Sequence, residues 1–192
     1  MAALDASECV AALMQRRYCS VLRTADASAV ASLADAYIAG GIEVVEFTMT
    51  CPHRFEHIKD YARRGDCLVG LGTCLTVDDA ARGIAAGASF VVSPVFGEEV
   101  VRECVRHNKV VIPGCNTPTE MYNAHLLGAQ FQKLFPAPEG GSAWVRSTLG
   151  ALPMLQIVPT AGITGKFLLG RQHNRSTACV ASHPIGNCLR FI

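Results

Sequence analysis

The residue that most directly suggests chemistry is Lys133, which lies in the apolar segment QFQKLFPAP at 130–138. Phe131, Leu134 and Phe135 flank this lysine and prolines close the segment, a pattern that predicts a buried strand. Burial lowers the pKa of an ammonium group, and a neutral amine attacks carbonyl carbon. The sequence therefore suggests a lysine that forms a Schiff base. The alternative is a strand-end lysine that extends its amine into solvent.

A second candidate is Glu46, in the segment IEVVEFTMT at 42–50. Strand alternation places Val44, Glu46 and Thr48 on one face and Phe47 on the other. If Phe47 packs against helices, Glu46 points into the interior, where burial raises the pKa of a carboxyl group and suits it to general acid–base catalysis. The alternative is a structural ion pair with an inward-facing arginine or lysine.

The rest of the chain predicts a regular framework for these two residues. The predicted strands are 18–22, 43–48, 67–71, 89–93, 110–113, 131–135 and 155–158. The predicted helices between them are 26–39, 52–64, 76–86, 97–108, 117–127 and 141–149. Such alternation indicates parallel strands joined by right-handed crossovers. Because the chain lacks a G-x-G-x-x-G motif, we expect an α/β fold of the (β/α)₈ TIM-barrel type, of which seven units can be counted.

In a barrel of this kind, functional groups lie at the carboxyl ends of the strands. Besides Glu46 and Lys133, the candidates there are Arg23, Thr73, Pro94, Phe135, Thr160 and Gly162. Arg23 and Thr73 could orient an anionic substrate. The simpler interpretation of both residues is that they cap the helix that follows.

Composition excludes several other functions. The formal net charge of +1 gives no electrostatic reason to expect nucleic acid or a membrane surface as a partner. The start, MAALDASECV, lacks the features of a secretory signal, and no apolar run is long enough to span a membrane. The nine cysteines are scattered without a C-x-x-C pair, which predicts reduced thiols in a reducing compartment. The six histidines do not lie at strand ends, so no metal site is expected.

A series of short motifs follows in order from about residue 21 to residue 163. They are GGIEVVEFTMTCP at 40–52, VGLGT at 69–73, GASFVVSP at 87–94, IPGCNTPTE at 112–120, KLFPA at 133–137 and PTAGI at 159–163. Together they resemble the class I 2-keto-3-deoxy-6-phosphogluconate (KDPG) aldolase and 4-hydroxy-2-oxoglutarate (KHG) aldolase family. Their order and spacing make the resemblance far more specific than any single motif.

The resemblance implies a role for each matching residue. Lys133 corresponds to the Schiff-base lysine and Glu46 to the general acid–base. Thr73 and Pro94 line the pocket for the pyruvyl group, and Phe135 shields the imine.

The resemblance also implies how the rest of the substrate is held. Arg23 lies near its anionic groups, and the turn that contains Thr160 and Gly162 helps to hold phosphate. The resemblance further implies a cytoplasmic homotrimer that binds a small keto acid and needs no cofactor.

Three features depart from the family pattern. Residues 49–51 read M-T-C where many members carry L-R-T, and Ala161 replaces a glycine of the phosphate-binding turn. After Ile163 the motifs stop, so we expect an aldolase domain over 1–163 and a divergent tail over 164–192 that contains no element able to close a barrel. Two explanations remain: an alternative or frame-shifted gene product, which the sharp break favours, or a divergent member whose tail packs over the gap.

The expected activity is cleavage of KDPG to pyruvate and glyceraldehyde 3-phosphate. One alternative is cleavage of 4-hydroxy-2-oxoglutarate to pyruvate and glyoxylate, which needs less of the phosphate site. The other is a truncated, non-catalytic subunit that assembles with intact chains.

Overall fold

The computed structural model describes residues 4–138, 140–160, 182–183 and 186–190. The helices are α1 Ala6–Arg16, α2 Ala29–Ala39, α3 Arg54–Arg64, α4 Val77–Ala86, α5 Glu98–Arg106, α6 Pro118–Leu126 and α7 Gly141–Ala151. The strands are β1 Tyr18–Leu22, β2 Val44–Thr48, β3 Leu68–Gly72, β4 Phe90–Val92, β5 Val110–Ile112, β6 Gly114–Cys115, β7 Gln132–Leu134, β8 Ile157–Pro159, β9 Ser182–His183 and β10 Gly186–Arg190.

Parallel strands β1 to β8 form the wall of an α/β barrel, as the alternating pattern predicts. Hydrogen bonds join β5, β4, β3, β2 and β1 in that order in one sheet, and β6, β7 and β8 in a second sheet. The predicted strand at 110–113 is observed as β5, and a further strand, β6, follows Pro113, whose ring nitrogen has no hydrogen to donate to a ladder. Pro113 therefore marks the corner at which the wall passes from one sheet to the other.

The packing of Phe47 fixes the orientation of β2. Its ring stacks on His57 of α3 at a centroid distance of 5.8 Å and lies 5.4 Å from the ring of Tyr61 on the same helix. Since adjacent strand residues point to opposite faces, Glu46 points into the barrel, as the alternation predicts.

Most predicted helix ends agree with the structure. The sequence T-P-T-E at 117–120 is typical of a capping box, and Thr117 and Glu120 form one at the start of α6, with Pro118 in the first turn. The predicted N-cap of α2, Asp26, is wrong by two residues: the N-cap is Ser28, because the Asp26 carboxylate accepts from the Ser28 backbone N–H at 2.9 Å and holds a turn before the helix.

The sequence interpretation missed helix α1. Asp5 and Glu8 form a capping box at its start, and Cys9 and Leu13 are buried beneath it. The amine of Lys109, which precedes β5, donates to the carbonyl oxygen of Leu4 at 2.7 Å. Helix α1 thus packs at the end of the barrel opposite the carboxyl ends of the strands.

The tail, which the sequence predicts to hold no element able to close the barrel, contributes two short strands that extend one edge of the wall without a ladder to β8 within the described residues. Strand β10 pairs antiparallel with β1, with Val21 opposite Asn187, and β9 pairs with β10. Cα atoms of β10 also lie within 8 Å of β8. An antiparallel strand therefore lies where a (β/α)₈ barrel would place a parallel one, which agrees with a tail that packs over the gap.

Seven cysteines lie in the part of the chain whose side chains are described; all seven are buried, and none of them forms a disulfide there: Cys9, Cys19, Cys51, Cys67, Cys74, Cys104 and Cys115. None of the described helices combines the length and the apolar character that a membrane crossing requires.

Candidate active site

Lys133 lies at the centre of β7 and is held by strands on both sides. It is in register with Gly114 of β6 and with Val158 of β8, and its backbone N–H donates to the Pro113 carbonyl oxygen at 2.9 Å. Phe131 is 1% exposed, and the Lys133 side chain is itself largely buried. The backbone of this lysine is therefore fixed by both neighbouring strands, and its amine lies close enough to Glu46, Arg23 and Cys19 to be influenced by them.

The surroundings of Lys133 favour a neutral amine. Burial is the largest effect and lowers the pKa of Lys133, and the guanidinium of Arg23 acts in the same direction. The Glu46 carboxylate and the Cys19 thiol oppose them and raise the pKa. The amine lies 5.0 Å from the centroid of the Phe135 ring, which covers it on one side.

Burial shifts the pKa of Glu46 in the opposite direction from that of Lys133, and it favours the neutral form in both cases. Glu46 is 1% exposed, and burial raises the pKa of its carboxyl group, while Lys133 and Arg23 lower it. Its Oε2 atom is buried without a hydrogen-bond partner among the described residues. Among the described residues, Glu46 therefore forms no ion pair with an inward-facing arginine or lysine. The carboxyl group of Glu46 and the amine of Lys133 influence each other without a direct contact.

The Glu46 side chain lies against Gly72, and the sequence interpretation missed this contact. A Cβ atom added to Gly72 would stand 2.5 Å from Cδ and 2.6 Å from Cγ of Glu46, so the carboxylate lies directly over this glycine. A glycine inside a strand often marks the close approach of another group. The G-L-G sequence at 70–72 was the available signal, but it does not reveal which group approaches.

Thr73 directly follows Gly72, and Pro94 follows the end of β4. Thr73 has a φ of 58°, a backbone conformation uncommon for a residue with a side chain and frequent at functional sites. The Pro94 carbonyl oxygen packs against Gly114, leaving no room there for a side chain, so the end of β4 touches the strand next to Lys133.

The simpler interpretation of Arg23 and Thr73 as helix caps is wrong. The residue at the start of α2 is Ser28, and the residue that caps α4 is Thr76, whose hydroxyl accepts from the Asp79 N–H at 3.1 Å. Arg23 is instead exposed at the end of β1, close enough to influence both Lys133 and Glu46.

At the end of β8, Thr160 is 5% exposed. Its hydroxyl and its N–H both donate to the Leu134 carbonyl oxygen, at 3.1 and 2.9 Å, so the side chain fastens β8 to β7. Ala161 and Gly162 lie outside the described residues.

No group of three or more histidine, cysteine, aspartate or glutamate side chains that could hold a metal ion occurs among the described residues. The arrangement instead combines a buried amine, a buried carboxyl group and a nearby guanidinium on the face formed by the carboxyl ends of the strands. Such groups can form an imine with a keto acid and transfer protons to and from it.

Comparison with known proteins agrees with this chemistry. The family model described as "KDPG and KHG aldolase" matches residues 10–188 and so continues beyond Ile163. The 2-dehydro-3-deoxy-phosphogluconate aldolase of Treponema pallidum is 40% identical over 133 residues, covering 68% of this chain and 63% of the relative. The chain thus spans a little less than two thirds of that relative.

Solved structures give the same result. The KDPG aldolase of Zymomonas mobilis with 3-phosphoglycerate superposes with a TM-score of 0.78 at 27% identity, covering 88% of this chain and 81% of the other. The KDPG aldolase of Legionella pneumophila, with pyruvate captured as a covalent carbinolamine, gives a TM-score of 0.74 at 27% identity, covering 83% and 78%. By the extent of the family match and the agreement of its fold, the chain belongs to the KDPG and KHG aldolase family.

Proposed function

We propose that this protein is a class I aldolase that cleaves KDPG to pyruvate and glyceraldehyde 3-phosphate. The observation that carries the proposal is that the amine of Lys133 and the carboxyl group of Glu46 lie near each other inside the barrel, where burial favours the neutral form of each group. The names of the relatives and the carbinolamine captured in the Legionella enzyme support it.

The first half of the reaction forms the imine. The neutral amine of Lys133 adds to the C2 carbonyl of the keto acid and gives a carbinolamine. Glu46 supplies a proton to the departing hydroxyl, water leaves, and a protonated imine remains. This cation accepts the electron pair that the later bond cleavage releases.

The second half breaks carbon–carbon bond C3–C4. The Glu46 carboxylate takes the proton of the C4 hydroxyl, the aldehyde departs, and the C3–C4 electron pair forms an enamine with the imine carbon. Glu46 returns the proton to C3. Water then hydrolyses the imine, which releases pyruvate and regenerates the amine of Lys133.

The remaining candidates surround these reacting atoms. Thr73 and Pro94 form the wall of the pyruvyl pocket between β3 and the Lys133 strand, and Phe135 covers the imine. Arg23 attracts the anionic groups of the substrate, since it is the cation at the end of β1. Thr160 and Gly162 belong to the turn proposed to hold the phosphate.

Cleavage of 4-hydroxy-2-oxoglutarate to pyruvate and glyoxylate is the second candidate function. It is favoured by Ala161, which places a methyl group in the phosphate-binding turn and restricts its backbone. The direction of β10 also favours it. This strand runs antiparallel to β1, whereas the last strand of a (β/α)₈ barrel runs parallel and ends on the side where the phosphate group of the substrate would bind.

We propose a homotrimer in a reducing, cytoplasmic compartment, with neither nucleic acid nor membrane as partner. The buried, reduced thiols support the compartment, and family resemblance supports the trimer. We also propose the division of the chain into an aldolase domain over 1–163 and a divergent tail over 164–192, which the end of the family motifs supports.

Borohydride trapping tests the proposal. The protein is reduced in the presence of pyruvate, and the adduct is located by peptide mass spectrometry. We expect a reduced pyruvyl adduct on Lys133 that is absent in Lys133→Ala. Pyruvate release from KDPG and from 4-hydroxy-2-oxoglutarate then separates the two activities. A soluble, monodisperse protein without an adduct would overturn the enzyme proposal and leave the non-catalytic subunit in its place.

A further inference from the structure

Strand β3 carries no side chain at the level of the acid. Gly72 ends the strand, and the Glu46 side chain lies across it, since Cγ and Cδ both fall within 2.6 Å of the position of a Cβ atom. Contacts shorter than 3.0 Å essentially never occur at a real Cβ atom, so even an alanine at 72 forces Glu46 to move. We call the space above Gly72 the carboxylate niche.

The niche has a consequence for the distance between acid and amine. Glu46 is attracted by Lys133, as the opposing effects of the two groups on each other's pKa show. Nevertheless, among the described residues its Oε2 atom has no partner. The carboxylate lies over β3 and forms no ion pair with Lys133, so a gap of more than 4.0 Å separates its oxygen atoms from the amine.

We propose that Gly72 is a positioning residue that holds Glu46 back from Lys133. The inference rests on the proposed function, because it assigns the gap to the keto group of the substrate. A methyl group in the niche displaces the carboxylate toward the barrel axis and the amine. In this displaced position, the carboxylate of Glu46 stabilises the ammonium form of Lys133 and occupies the space that the substrate needs.

The variant Gly72→Ala tests the inference through the pH dependence of imine trapping. Three titratable or charged groups face the Lys133 amine: Glu46 from β2, and Arg23 and Cys19 from β1. The three atoms nearest to the added methyl group all belong to Glu46. We expect the pH of half-maximal borohydride trapping with pyruvate to rise, since a closer carboxylate favours the charged amine, and kcat to fall about 100-fold because the acid is misplaced.

A stability cycle keeps the inference testable if Gly72→Ala folds poorly. Gly72→Ala is expected to lower Tm by roughly 3 to 10 °C relative to wild type. In the Glu46→Ala background, the same substitution is expected to leave Tm unchanged, because the side chain that it displaces is absent. Gly150→Ala is the matched control, since its Cβ atom has no neighbour within 4 Å, and it is expected to leave trapping and turnover unchanged.

The outcomes separate this inference from the proposed function. If the wild-type protein forms no adduct, the proposed function fails first. If the wild-type protein forms the adduct and Gly72→Ala shows the same pH profile and kcat, only the positioning role is overturned. An equal loss of Tm in the wild-type background and in the Glu46→Ala background would also overturn it, because the added methyl group would then collide with something other than Glu46.

Discussion

Glu46 on β2 and Lys133 on β7 face the same barrel interior, and each group stabilises the charged form of the other. Burial acts in the opposite direction and destabilises both charged forms. Burial is the larger effect for both groups, so the neutral amine and the neutral acid are favoured over the two charged forms. A buried acid and a buried amine with this balance suit a reaction that repeatedly moves one proton.

Replacing the acid is expected to separate binding from turnover. Glu46→Gln keeps the shape over Gly72 but cannot accept a proton. We expect kcat for keto-acid cleavage to fall by about 10²- to 10⁴-fold, the usual contribution of general acid–base catalysis. Trapping on Lys133 is expected to persist at a lower rate. Steady-state kinetics and adduct mass spectrometry measure both effects, and a kcat within about threefold of wild type contradicts the role of Glu46.

Replacing the amine is expected to abolish chemistry without loss of stability. Lys133→Met retains an unbranched side chain beside Phe135 but removes the group whose charge is disfavoured by burial. We expect no pyruvyl adduct and a free energy of unfolding, from urea denaturation at pH 7, equal to or above that of wild type. Lys59→Met, at an exposed position on α3, is the control for loss of a lysine. A loss of stability greater than about 1 kcal/mol would show that the amine has a structural role.

The raised pKa of Glu46 predicts how stability varies with pH. The ordinary value is 4.5, and burial raises it in the folded protein. As pH rises from 4.5 through the folded pKa, the unfolded chain loses this proton while the folded protein retains it, so the group destabilises the fold. Glu46→Gln removes this effect. We therefore expect Tm of wild type relative to Glu46→Gln to decrease as pH rises above 4.5, and an unchanged difference from about pH 4 to 8 would contradict the pKa shift.

The cap of α6 gives a prediction remote from the site. Thr117 accepts from the Glu120 N–H at 3.2 Å, and Thr117→Ala removes this bond. The expected loss is about 1 kcal/mol of unfolding free energy, with no change in the pH of trapping. Thr119→Ala, at an exposed position of the same helix, is the matched control. Urea denaturation of both variants measures the difference, and an equal effect would mean that the cap contributes nothing specific.

The features that the sequence predicts well are those set by local pattern. Alternation around Glu46 and the apolar flanks of Lys133 are sufficient to place both residues on barrel strands. The capping box at Thr117 likewise depends on residues within one helical turn. In each case the physical cause lies within a few residues of its effect.

The features that the sequence does not predict depend on distant partners. The need for glycine at 72 comes from a carboxylate on another strand, and the antiparallel direction of β10 comes from its pairing with β1. Helix α1 is an exception, since Asp5 and Glu8 form a local capping signal that was available. The division at Pro113 was also visible as a proline inside a strand, but only the pairing of β5 and β6 with different neighbours gives it meaning.

The corner at Pro113 also means that the amine and the acid belong to different hydrogen-bonded sheets. Lys133 lies in the sheet of β6, β7 and β8, whereas Glu46 lies in the sheet that contains β1 to β5, and no strand ladder joins the two sheets within the described residues. The separation of the two groups therefore depends on side-chain packing more than on a continuous ladder. In the proposed reaction, a substrate that is covalently attached to Lys133 and hydrogen-bonded to Glu46 would therefore link the two sheets, which the strand ladders do not.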